Sequence, residues 1–95
     1  MDQNEINISI INYLRPYCPE RIGIFGSFAR REETPESDID ILVKFRNTIS
    51  LLDLARIHRE LSKILCREVD LVTEASIKNE SLKKHIYKNL IIIYE

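Results

Sequence analysis

The chain has 95 residues, 44% of them hydrophobic, and a formal net charge of −1. That length supports one domain with a modest core rather than two. The near-neutral charge gives no broad electrostatic footprint for nucleic acid, so direct nucleic-acid binding is not expected. No apolar run reaches the length of a membrane span. The opening MDQNEINISI has no basic start ahead of an apolar stretch, so no signal peptide is expected and the chain reads as cytoplasmic. Cys18 and Cys66 match no zinc spacing and read as reduced thiols. His58 and His85 are single and read as helix-surface or core-edge residues.

In chain order, Ile6, Ile10, Ile11, Leu14 and Tyr17 recur at helical spacing, which predicts an amphipathic helix over residues 5–17 ended by Pro16 and Pro19. Arg21 to Phe25 is a short β-branched and aromatic run, read as a strand that Gly26 breaks. Ser27 to Arg30 should open a short helix, and Glu32 to Ser37, with Thr34-Pro35, reads as loop. Asp38 to Phe45 is the second strand. Ile39, Ile41, Val43 and Phe45 form one face of it and should be core; Asp38, Asp40, Leu42 and Lys44 form the other. Ser50 and Asp53 make a capping box that opens a helix to about Cys66. Leu54, Ile57, Leu61, Ile64 and Leu65 are its apolar stripe, and Arg56, Arg59 and Lys63 its basic face. Glu68 to Thr73 is the third strand, with Asp70 on the face opposite Val69 and Leu71. Residues 79–89 read as a polar helix turning Leu82, Ile86 and Leu90 toward the core. Leu90 to Tyr94 fits a closing strand or a continuation of that helix, because a short apolar run is ambiguous. The alternation of strands and helices implies a small α/β or α+β sheet with helices on one side.

The chemistry concentrates between Gly26 and Val43. Asp38 and Asp40 share a strand face, with Cα atoms about 7 Å apart. Two carboxylates that close repel unless a cation or proton lies between them. Mg²⁺ is typically held by one or two carboxylates plus substrate phosphates. Gly26 allows close backbone approach to a phosphate, and the amides at the start of the following helix favour an anion. A bare aspartate-x-aspartate pair more often solvates an exposed strand end. The upstream Gly26-Ser27 and the downstream Asp70 reverse that balance toward nucleoside triphosphate chemistry.

The composite GSFAR, loop, SDIDILV, then REVDLVT resembles the signature of the DNA polymerase β superfamily of nucleotidyltransferases in its minimal form. Gly26, Ser27, Arg30, Asp38, Asp40 and Asp70 match that pattern over Ile22 to Thr73. Where many such domains carry glycine after the arginine, this chain has Arg31. The resemblance implies a single minimal nucleotidyltransferase domain over residues 1–95, with a mixed sheet carrying the three aspartates on adjacent strands. It implies Asp38 and Asp40 as ligands of two Mg²⁺ ions about 4 Å apart, with Asp70 completing the second site and able to take the proton. Gly26 and Ser27 would hold the ATP phosphates. Arg30 would add charge at the triphosphate or brace Glu32 or Glu33. It further implies an antitoxin that attaches AMP to a tyrosine of a helical HEPN-type toxin, in a homo- or hetero-oligomer. A module that masks its partner without catalysis, and an ATP-binding sensor, are the alternatives.

Overall fold

Helix α1, Gln3–Leu14, starts where Asp2 accepts a 2.8 Å bond from the Glu5 amide, which satisfies one of the free N–H groups of the first turn. A 3-10 turn over Arg15–Tyr17 follows, closed by Cys18 at φ 56°. The computed structural model describes residues 2–29 and 38–95, with the backbone alone for residues 27 and 28. The expected loop over Glu32 to Ser37 therefore lies outside the described residues, as do Arg30 and the Ser27 side chain.

Strand β1, Pro19–Phe25, opens on a proline, which suits a first strand position because its missing N–H breaks no central ladder bond. Gly26 turns the chain into α2, Gly26–Ala29. Strand β2 is Ile39–Phe45, with Asp38 the residue just before it. Helix α3, Leu51–Leu65, is capped by Ser50, whose hydroxyl accepts from the Asp53 amide at 3.1 Å. It stops at Cys66, φ 54°. Strand β3 is Val69–Thr73, helix α4 is Glu80–Lys88 and strand β4 is Ile91–Tyr94. The ambiguous C-terminal run is thus a strand, which pairs antiparallel with β1.

The described strands lie in the order β3-β2-β1-β4. β1 and β2 are antiparallel, while β2 and β3, joined through α3, are parallel. The alternation of β2 places Ile39, Ile41 and Val43 on one face, fully buried with Ile22, Ile24 and Val69. Helices α1 and α3 close that face with Ile6, Ile10 and Leu14 and with Ile57, Leu61 and Leu65. Tyr13 of α1 donates a hydrogen bond to Glu60 of α3, tying the two helices at their rim.

Three details differ from the sequence expectation. Ile64 and Leu82, expected inward, are exposed, at 43% and 48%. Leu42, on the aspartate face of β2, is buried, as is Ile86 of α4, and neither belongs to the α1–α3 core. The helices also do not all lie on one side. β3 and β4 are opposite edges of the sheet, so the chain between them must cross a face, and α1 and α3 already occupy one. The crossing therefore uses the aspartate face. Leu90 packs there on Gly23, where an added Cβ would lie 2.6 Å from the Leu90 Cδ1.

Candidate active site

The site forms where β1 ends beside the beginnings of β2 and β3. Phe25 is the register partner of Asp40, and Asp40 is the parallel partner of Asp70. The Ile39 amide donates to the Glu68 carbonyl at 3.0 Å, which pins the entry of β2 beside the entry of β3. Side chains of register partners share a face, so Asp40 and Asp70 come together across two adjacent strands. Asp38 stands two residues before Asp40, just outside β2. Asp38 and Asp70 are exposed and Asp40 half-buried.

Gly26 meets this acidic group directly. Its φ of +75° is a conformation that glycine adopts at little cost. A Cβ at that position would lie 2.1 Å from the Asp40 Oδ2. The Asp40 carboxylate thus occupies the space that any other residue's side chain would fill. The sequence assigned Gly26 to phosphate approach. The structure adds a second reason for the glycine, which becomes visible only once β1 and β2 are paired.

Among the described residues, no three His, Cys, Asp or Glu side chains gather into a group that could cage a metal ion. A hard cation held by one or two carboxylates and by phosphate oxygens needs no such cage. The paired Asp40 and Asp70, with exposed Asp38 alongside, supply that kind of open oxygen donor set. Cys18 and Cys66 are free thiols. His58 lies 3.2 Å from Glu68, and neither residue takes part in the aspartate group.

Further along the same face, Arg21 makes a forked ion pair with Glu74, at 2.8 Å from Nη2 and 3.1 Å from Nε. Tyr87 of α4 donates to the same carboxylate. Burial pushes the Glu74 carboxyl up, but the bonds from Tyr87 and Arg21 outweigh it and hold the group below its ordinary range. Burial and the bond to Glu74 raise the Tyr87 hydroxyl. This network anchors α4. No local pattern signals it, since Arg21 and Glu74 are 53 residues apart. A cleft of about 430 Å³ opens at the far ends of β2 and β3, lined by Val43, Lys44, Thr73 and Glu74 among others. It lies away from the aspartates and holds no paired acids, so the carboxylates rather than the cleft mark the reactive end.

Residues 9–95 match the family model described as Polymerase beta, Nucleotidyltransferase. A Methanocaldococcus jannaschii protein assigned by name to the protein adenylyltransferases is 49% identical over 77 residues, 81% of this chain and 83% of that protein. The protein adenylyltransferase MntA of Thermococcus cleftensis is 36% identical over 72 residues, 76% of this chain and 72% of its own. A chain from the crystal structure of a toxin–antitoxin with AMP-PNP superimposes with a TM-score of 0.83 at 26% identity, covering 93% of this chain and 72% of that one.

Proposed function

This chain belongs to the polymerase beta nucleotidyltransferase family, and we propose that it transfers AMP from ATP to a tyrosine hydroxyl of a HEPN-type toxin and so serves as the antitoxin of the pair. The observation that carries this reading is the register pairing of Asp40 with Asp70 beside the Gly26 turn. The protein adenylyltransferase names of two relatives and the likeness to a toxin–antitoxin with AMP-PNP support it. The catalytic unit is a single minimal nucleotidyltransferase domain over residues 1–95.

Asp38 and Asp40 are the residues that would hold Mg²⁺ against the triphosphate, and Asp70 would complete a second Mg²⁺ site. When bound, the metal neutralises phosphate charge and lowers the pKa of a hydroxyl beside it. The Gly26 backbone and the Ser27 hydroxyl would hold the β- and γ-phosphates, with Arg30 adding positive charge. The tyrosine oxygen attacks the α-phosphorus, the bond from that phosphorus to the bridging oxygen breaks, and pyrophosphate leaves. Asp70 accepts the tyrosine proton, which an unassisted hydroxyl of pKa about 10 gives up poorly at neutral pH. Positioning and charge neutralisation supply most of the rate.

Among the described residues Asp38 and Asp70 are exposed, and a macromolecular acceptor brings its own wall to such a site, whereas small-ligand pockets bury most of their ligand. A cytoplasmic setting agrees with the free, exposed Cys18 and Cys66. Among the described residues no helix is long and apolar enough to cross a membrane. The test is intact-mass analysis of the co-purified HEPN-type toxin after incubation with ATP and Mg²⁺. An added AMP mass mapped to a tyrosine is the expected result. Neutralisation of the toxin without that mass, and by the Asp38→Asn/Asp40→Asn variant as well, replaces transfer by masking.

A further inference from the structure

Helix α3 carries a second surface that the transfer chemistry does not use. An α-helix advances about 100° per residue, so Leu52, Arg56, Arg59 and Lys63 fall on one narrow stripe. That stripe lies opposite the buried Ile57, Leu61 and Leu65 and faces away from the sheet. All four of its residues are exposed, and Leu52 and its neighbour Leu51 are 82% and 83% exposed. The two acids of the helix, Asp53 and Glu60, sit roughly a quarter-turn to one side. Glu60 already accepts from Tyr13. Among the described residues no ion pair engages Arg56, Arg59 or Lys63. The stripe is thus a line of three cations that make no close ion pair among the described residues, ending in two bare leucines, about 16 Å long at 1.5 Å per residue.

We propose that this stripe is a docking surface for an acidic face of the partner protein that bears one apolar side chain to cover Leu51 and Leu52. The inference rests on the reading that the acceptor is a partner protein. Charge complementarity selects an acidic occupant. The leucines select protein over nucleic acid, since the stripe offers no aromatic side chain for bases to stack on. The surface backs onto the core, on the side of the sheet away from Asp40. Its Lys63 end, however, leads through residues 66–68 directly into β3, an edge strand whose second residue is Asp70. A partner seated on α3 therefore reaches the aspartates around the open edge of β3. Docking and chemistry use different contacts.

The test compares wild type with Arg56→Glu/Arg59→Glu/Lys63→Glu and with Leu52→Ser. The probes are the co-purified HEPN-type toxin, a short tyrosine peptide from its modified segment, ATP, and duplex RNA. The charge reversal is expected to weaken toxin affinity about tenfold or more at low salt, with the gap narrowing as salt rises. ATP affinity, the melting temperature and transfer to the short peptide should stay at wild-type values. Leu52→Ser should weaken toxin binding less, and independently of salt. Unchanged toxin affinity in the charge-reversed variant, with transfer intact, overturns the docking surface alone. So does a loss confined to duplex RNA binding. If neither protein transfers AMP but the variant still loses the toxin, the proposed function fails and the docking surface stands.

Discussion

One face of the sheet is closed by hydrocarbon and the other is held largely by charge. Behind the sheet, α1 and α3 bury an unbroken set of isoleucines, leucines and valines, ten of them with essentially no exposed surface. In front, Leu42, Ile86 and Leu90 supply a thinner apolar contact, and α4 is fastened by the Arg21–Glu74–Tyr87 network. Asp38, Asp40 and Asp70 stand at one end of that front face. Most of the buried apolar surface lies on the back face, so that face supplies most of the stability. The division keeps the acidic end of the sheet outside the buried core.

The largest expected effect tests the back face. Ile57→Ala leaves a cavity in the α3 contact and should cost about 2–5 kcal/mol in chemical denaturation. AMP transfer per folded molecule should remain at the wild-type level. A specific loss of transfer in the folded fraction would show that the two faces are not separable.

Gly26→Ala tests the seam between the strands. The new methyl meets Asp40 and the backbone must hold φ +75° with a side chain, so the carboxylate has to move. Misplacement of a reacting group by about 1 Å costs on the order of a hundredfold in rate. Single-turnover transfer should fall by about that factor, with a smaller drop in melting temperature.

Glu74→Gln tests the front fastening and should cost about 1–2 kcal/mol, reduced from a fully buried charged bond because Arg21 is one-third exposed. The sign with pH follows from the two shifts. Glu74 is held below its ordinary value of 4.5, so its contribution is present above that pH and lost as the pH falls through its folded value. Tyr87 is raised above 10.0, so its contribution is present below that pH and lost as the pH climbs through its folded value. The stability gap between wild type and variant should be widest between these limits and close on acidification. A pH-independent gap would place the cost in packing instead. Ser50→Ala, which removes only the α3 cap, should cost about 1 kcal/mol and leave nucleotide affinity unchanged.

Most of the back face was legible in the sequence because its signals are local. The alternation in IDILVKF marked the buried side of β2, and Ser50 with Asp53 marked the start of α3. The DxD pair and the lone Asp70 could be placed on strands, but their pairing depends on the parallel register of β2 with β3, which no local pattern encodes. The front face was read less well for the same reason. Leu82 looked inward by spacing, yet it is exposed because α4 crosses the sheet held mainly by Ile86 and by Tyr87's bond to Glu74. Arg21 looked like the polar start of a strand, and its partner lies beyond β3. Gly26 was legible as a backbone device, but its clash with Asp40 required the folded pair of strands.

The most direct test of the account is the Asp38→Asn/Asp40→Asn variant, with thermal melting in the absence of metal and AMP transfer to the HEPN-type toxin measured on the same preparation. The expected result is a variant that stays folded, since neither side chain belongs to the buried core, together with loss of transfer by at least about a hundredfold. Transfer at the wild-type rate, or collapse of the fold when two front-face charges are removed, would contradict it.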